Sequence, residues 1–397
     1  MTRTAMHGFV LQRFSRGVAC AAFWASVLHA AAAVAQRGVA PAIDRRFQPP
    51  SETSKLGDER SDWRGSTFSW NNSATTQTLG VGDDVQSEDP TYEMSFALAP
   101  RYYVWEDPGK LPRTVSVAAR IEAIREFTNS DTTTERGEWL LSNLLLAPQY
   151  SHAFYESRGY STTLAFRAPA VALPTSKASR KNGTYFGLGG SLLATQDFPL
   201  LGADSALLSG LAVTGLAGYE HAFRRATTPT NPELERERMG PDGETLSSDQ
   251  LTGRAFIDDE VRLGFSTTLN LHERVRWSSL FEWHLAWKYR FEDNSSVALP
   301  TGTAPVDGQE KPDNFGVVAL FATEVAVLLA DECSLELGYQ NLSSQLGPDA
   351  QRRAMFYSPE ARFSLSVVAH LDAIAGLVTG GGNARRAATA SSTRSSH

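Results

Sequence analysis

The sequence predicts an all-β fold, a transmembrane antiparallel up-and-down β-barrel of about twelve strands. Three observations lead there. Residues 254–291 alternate between apolar and polar side chains with a period of two, over two limbs each about three times the usual strand length. The links between alternating segments sort strictly into short and long. Beyond the N-terminus, no window holds the roughly eighteen uncharged apolar residues that a membrane-crossing helix needs.

The first 35 residues read as an export signal. Arg3, Arg13 and Arg16 form a positive start, Gly17 to Val34 carries no charge, and Ala33-Val34-Ala35 supplies the small-x-small pattern for cleavage before Gln36. Cys20 lies within this leader, and the residues before it lack the bulky apolar side chain of a lipoprotein signal. The leader holds three of the 37 basic residues and none of the 44 acids, so its removal takes the formal net charge from −7 to −10. An acidic chain without a basic domain excludes a nucleic-acid partner. One cysteine remains, Cys333, which cannot form an internal disulfide, and the eight histidines are spread singly, which speaks against a metal cluster. No cofactor motif is present. Residues 36–61 are polar and aperiodic, as expected of a flexible periplasmic lead-in.

Strands follow in order. The first runs from Asp62 to about Asn71. In the second, Tyr92, Met94, Phe96, Leu98, Tyr102 and Val104 alternate with Glu93, Ser95, Ala97 and Arg101. The third sets Val115, Val117, Ala119 and Ile121 against Ser116, Arg120 and Glu122, and its end, Ala119 to Phe127, reads equally as a helix. The fourth covers Glu138–His152. The fifth sets Tyr160, Thr162, Leu164 and Phe166 against Ser161, Thr163 and Arg167. The sixth spans Thr184–Thr195 and the seventh Ser205–Phe223. The eighth and ninth are the long limbs. Ile257, Val261, Leu263, Phe265 and Leu269 alternate with Asp258, Glu260, Arg262 and Gly264. After His272–Arg274, Trp277, Phe281, Trp283, Trp287, Tyr289 and Phe291 alternate with Arg276, Glu282, His284, Lys288 and Arg290. The tenth places Phe315, Val317, Phe321, Val325 and Val327 opposite Glu324. The eleventh sets Leu335, Leu337 and Tyr339 against Glu336. The twelfth sets Phe363, Leu365 and Val367 against Arg362, ending near Leu371, and residues 372–397 read as a disordered tail.

Short links fall at 106–112, 154–159, 197–204, 272–274 and 330–332. Longer polar ones fall at 72–90, 128–137, 175–183, 224–252, 292–312 and 343–353. A bacterial barrel has short periplasmic turns and longer outer loops in that alternation. A soluble sheet has no reason to sort its loops.

On this alternation, loop sorting and aromatic placement, residues 62–371 resemble the bacterial outer-membrane β-barrels, without matching a subfamily motif. The resemblance implies a closed, porin-like barrel in the outer membrane of a Gram-negative bacterium, inserted by the barrel assembly machinery. It further implies contact with outer-membrane lipid and passage of a small polar solute. Lumen-lining candidates are Arg101, Arg120, Glu122, Arg167, Asp258, Glu260, Arg262, Arg276, Glu282, His284, Lys288, Arg290, Glu324 and Arg362. They either set a pore's field or pair across strands and fill a narrow lumen. Lipid-facing candidates are Trp277, Phe281, Trp283, Trp287, Tyr289 and Phe291. If opposed residues around the turn sum to roughly 546, Lys288 lies near Asp258 and His284 near Arg262, with Glu282 reaching Arg262 diagonally.

Two rival functions stand beside the channel. As a hydrolase, a barrel phospholipase would need a His followed two residues later by Ser, which His152, His221 and His284 all lack. A barrel protease would need paired acids beside a rim His, and the adjacent Asp258 and Asp259 point to opposite faces of a regular strand. The chain is therefore read as a non-enzyme with no catalytic residue. As a receptor or adhesin, it would act through its outer loops, above all 224–252, which reads as a solvated loop or short helix over the mouth.

Overall fold

The computed structural model describes residues 61–377. It leaves aside a few single link positions and much of the longer links: 80–90, 129–136, 201–206, most of 228–255, most of 290–313, and 345–353. Residues 1–60, to which the expected export signal and most of the expected lead-in belong, lie outside the described residues, as do Arg290, Phe291 and residues 378–397.

The barrel strands are β1 (Thr67–Thr75), β2 (Tyr92–Ala99, resumed as Arg101–Asp107), β3 (Arg113–Glu126), β4 (Trp139–Leu141, resumed as Leu144–Ser157), β5 (Tyr160–Leu173) and β6 (Thr184–Pro199). They continue as β7 (Leu207–Arg224), β8 (Ile257–His272), β9 (Val275–Lys288), β10 (Phe315–Ala330), β11 (Cys333–Ser344) and β12 (Arg362–His370). Each pairs antiparallel with its neighbour in sequence, and β1 pairs with both β2 and β12, so the twelve close into a barrel. Closure is what membrane crossing demands, because an open edge would leave N–H and C=O groups unpaired in hydrocarbon.

Short turns and long links alternate around the barrel as the sequence predicts. The segment 119–127 is strand throughout its described length up to Glu126, not helix. Three further features depart from the sequence reading. The 225–256 link contains a small hairpin, Glu237–Met239 with Thr245–Ser247, in place of a helix. The 174–183 link holds a one-turn helix α1 (Lys177–Lys181), N-capped by Ser176, whose hydroxyl accepts from Ser179 N at 3.1 Å. Residues 371–377 are helical where a tail was expected.

Strand alternation divides the side chains. Leu263, Phe265, Leu337 and Val104 face outward and stand exposed. At the closure, Trp70, Cys333 and Val367 pack with Met94, Phe96 and Leu335 on the outer face. Outward Asn341 would be costly against lipid, and residues 354–358 cover it. Its Nδ2 donates to Met355 O at 2.9 Å, Ser358 Oγ donates to its Oδ1 at 2.6 Å, and Phe356 packs edge-on against Phe321.

The strands are staggered. Paired positions lead from Glu93, at the long-link end of β2, through Ser73, Ser364, Gly338, Glu324, Ser278, Thr268, Ala212 and Asp197 to Ser161, near the short-turn end of β5.

Glutamates on the inner wall tend to lie across glycines. Gly264 stands opposite Glu282 and Gly189 opposite Glu220. A Cβ at Gly264 would press on the Phe281 carbonyl and lie 2.6 Å from Glu282 Cγ. Gly264→Val is therefore expected to destabilise the refolded protein by about 1–3 kcal/mol, read from urea unfolding by tryptophan fluorescence. An unchanged midpoint would show that the wall has room there.

Candidate functional site

The inner wall of β7, β8 and β9 carries a continuous charged ladder. Register places Glu220 opposite Glu260, and Arg262 opposite His284. Arg262 Nη2 pairs with Glu220 Oε2 at 2.7 Å and its Nε with Glu260 Oε1 at 3.2 Å. Glu260 Oε1 meets His284 Nδ1 at 3.1 Å, and His284 Nε2 meets Glu282 Oε2 at 3.7 Å. Glu282 is almost wholly buried, at 1% side-chain exposure. Three acids thus share one guanidinium and one imidazole in a semi-enclosed space, where charges interact more strongly than in bulk water. Farther round, buried Arg167 donates to Gln149 Oε1 at 2.9 Å.

A second cluster sits inside the closure. Arg362 of β12 spans β1 to reach Glu93 of β2, with Nη1 2.9 Å and 3.0 Å from the two carboxylate oxygens. Glu126 stands opposite Glu93, fully buried, and accepts from Thr128 Oγ1 at 2.7 Å. Arg120 holds Glu122 at 2.9 Å. Elsewhere on this wall, Glu324 lies between Ser278 and Gly338, and Arg276 between Asn270 and Ala326. Arg101 sits at the β2 break, where its N–H donates to Ser66 Oγ at 2.9 Å. Part of the wall is dry: Leu280, Leu320 and Ala322 form a buried apolar cluster with Leu342.

On the outer face, Trp277 donates to Thr323 Oγ1 at 2.8 Å, Phe281 meets Trp283 edge-on with ring centroids 4.5 Å apart, and Trp287 packs on Phe315 at 5.1 Å. Tyr289, read as lipid-facing, is corrected. It lies past the end of β9 and its hydroxyl crosses to Ala222 O at 2.9 Å. Burial and the nearby Asp258 carboxylate push this phenol above its ordinary pKa.

The sum of 546 holds from Asp259–Trp287 to Asn270–Arg276 and fails at both ends. At the long-link end a bulge skips Asp258, so Lys288 lies opposite Ile257 and not beside Asp258. Nor does Glu282 pair with Arg262; its partner is His284. The bulge also overturns the opposite-faces expectation for the adjacent acids. Asp259 Oδ1 lies 2.9 Å and Asp258 Oδ1 3.5 Å from the same atom, His221 Nδ1. The sequence reading missed His221 and Tyr219, whose hydroxyl donates to Asp259 Oδ1 at 2.5 Å. The only signal for them was their place on the partner strand.

No protein-family model matches the chain, and no curated protein matches it. Among solved structures, it is similar to an outer-membrane channel of Pseudomonas putida F1, at 11% identity and a TM-score of 0.41, covering 79% of this chain and 99% of that one. It is also similar to the β domain of the Bordetella autotransporter BrkA, at 9% identity and a TM-score of 0.33, covering 77% and 99%. A third is the outer-membrane phospholipase of Salmonella typhi, at 10% identity and a TM-score of 0.30, covering 80% and 94%.

Proposed function

We propose that the chain is a passive diffusion channel for small polar solutes in the outer membrane of a Gram-negative bacterium, without catalysis of its own. The observation that carries this reading is the ladder of Glu220, Arg262, Glu260, His284 and Glu282 along the inner wall of a closed barrel. Charged rows of this kind set the field along a pore and choose between ions. The outward apolar residues are suited to lipid contact, and the sorting of short and long links supports an orientation with both ends of the barrel on the periplasmic side.

The test is single-channel recording of the refolded protein in a planar bilayer under a salt gradient. Discrete conductance steps are expected. Arg262→Glu, which replaces the one guanidinium of the ladder by a fourth carboxylate, should shift the reversal potential toward cation selectivity. An open channel with unchanged selectivity would remove the ladder from the ion path.

A second reading is a sealed barrel acting as a receptor or adhesin through its outer loops. The dry inner cluster of Leu280, Leu320, Ala322 and Leu342 favours it. Correctly inserted protein that passes no current would replace the channel reading with this one.

A further inference from the structure

We propose that His221, Asp258 and Asp259 form a zinc-class divalent metal site at the long-link rim of the barrel, clamping the foot of the 225–256 link.

Geometry carries the proposal. One ligand atom from each residue lies within 4.8 Å of the other two. His221 Nδ1 stands 2.9 Å from Asp259 Oδ1 and 3.5 Å from Asp258 Oδ1. Zinc bonds to nitrogen and oxygen are about 2.0–2.2 Å long, so the ligand atoms around one tetrahedral ion stand about 3.3–3.6 Å apart. The 3.5 Å separation from Asp258 matches such an edge, and the 2.9 Å separation from Asp259 has to open by about 0.5 Å to admit the ion.

A hydrogen-bonded account leaves something over. Nδ1 carries at most one proton, and the shorter contact to Asp259 uses it. Asp258 Oδ1 then faces the same nitrogen at 3.5 Å with no proton between them, while the Tyr289 hydroxyl stands beside the same carboxylate. A cation between the three atoms would satisfy both carboxylates and the imidazole together. It takes the place of the Nδ1 proton, which leaves to solvent.

The backbone is shaped for this convergence. Neighbouring residues of a regular strand send their side chains to opposite faces, and only the bulge at Asp258 turns both carboxylates toward His221. Tyr219 donates to Asp259 Oδ1 and so fixes that carboxylate from behind, as outer partners of metal ligands commonly do. The nearby cation, Arg224, is drawn aside: its guanidinium lies 4.5 Å from the Phe256 ring and donates to Thr184 Oγ1 at 2.9 Å. The three side chains are 28–36% exposed, which leaves room for water in the remaining coordination positions.

Depth in the membrane is compatible. A crossing needs about 9–11 residues per strand, whereas β7 has 18 and β8 has 16. The site uses the fourth residue from the end of β7 and the second and third residues of β8, toward the rim of strands longer than the crossing needs. One imidazole nitrogen with two carboxylates suits zinc better than calcium, which prefers an all-oxygen shell. The ion would join β7 to β8 where the longest link leaves them.

Untagged protein, refolded in micelles, should be titrated with Zn2+ alone and with Ca2+ alone by calorimetry, and with Co2+ by visible absorption. One Zn2+ per chain is expected, with Ca2+ at least about tenfold weaker, and Co2+ d–d bands of a nitrogen–oxygen shell. His221→Gln, Asp258→Asn and Asp259→Asn should each weaken Zn2+ by about tenfold or more, and Tyr219→Phe by less. Each variant should keep the boiled-versus-unboiled gel shift of the folded barrel. Any variant that loses it is replaced by His221→Asn or Asp259→Ser. Absence of stoichiometric Zn2+ binding, binding that survives all three ligand substitutions, or a preference for Ca2+ would overturn the site.

Discussion

Arg362→Met is expected to destabilise the barrel by about 3–5 kcal/mol, the usual cost of stripping one partner from a buried ion pair. Arg362 is the bridge between the last strand and the second, passing behind β1 to hold both oxygens of Glu93. Its removal leaves Glu93 beside two further carboxylates, Glu126 opposite and Glu122 on the same inner face. Methionine keeps the volume and apolar stem, so lost packing contributes little. Urea unfolding of the refolded protein, followed by tryptophan fluorescence, measures the loss. Glu93→Gln in the Arg362→Met background should recover much of it, because the orphaned charge is the larger part of the cost. If the double variant is as unstable as the single, the pair does not hold the closure.

Leu263→Arg is expected to cost about 2–4 kcal/mol, the penalty for a cation facing lipid near the bilayer midplane. Leu263 is outward, exposed and close to the middle of β8. The same substitution at Leu329, outward but next to the last residue of β10, should cost only about 0–1 kcal/mol, since the penalty falls toward the interface. Both are measured by the same unfolding assay in lipid vesicles. Equal costs at the two depths would mean that the outer face does not span hydrocarbon.

Much of this architecture was legible in the residues. Period-two alternation persists over each strand because one face must meet an apolar medium and the other a polar lumen, and so strand number and link order could be read directly. Strand ends were less legible. The first strand starts at Thr67, not Asp62, and the fourth runs on to Ser157. Ends are set by where neighbours stop pairing, which alternation does not encode. The site was legible only in part. Arg262 and His284 fall opposite each other because the hairpin register is fixed by a short turn. Asp258 was misassigned because a bulge adds one residue without changing composition, and that single residue reverses the direction of a side chain. His221 was invisible for a related reason: it comes to the acids through pairing between β7 and β8, across the longest link.

The stagger of the strands has a consequence for anything that moves through the barrel. Positions level in hydrogen bonding do not form closed rings. They begin at Glu93 beside one mouth and arrive at Ser161 and Glu156 beside the other, by way of Glu324, Ser278 and Asp197. The polar groups are therefore threaded like a screw. A hydrated ion handed from one carboxylate or hydroxyl to the next would turn about the axis as it advances. Its successive contacts would come strand by strand around the wall, with one long jump in sequence where β1 meets β12, and what it meets at each depth would depend on the pitch of the thread.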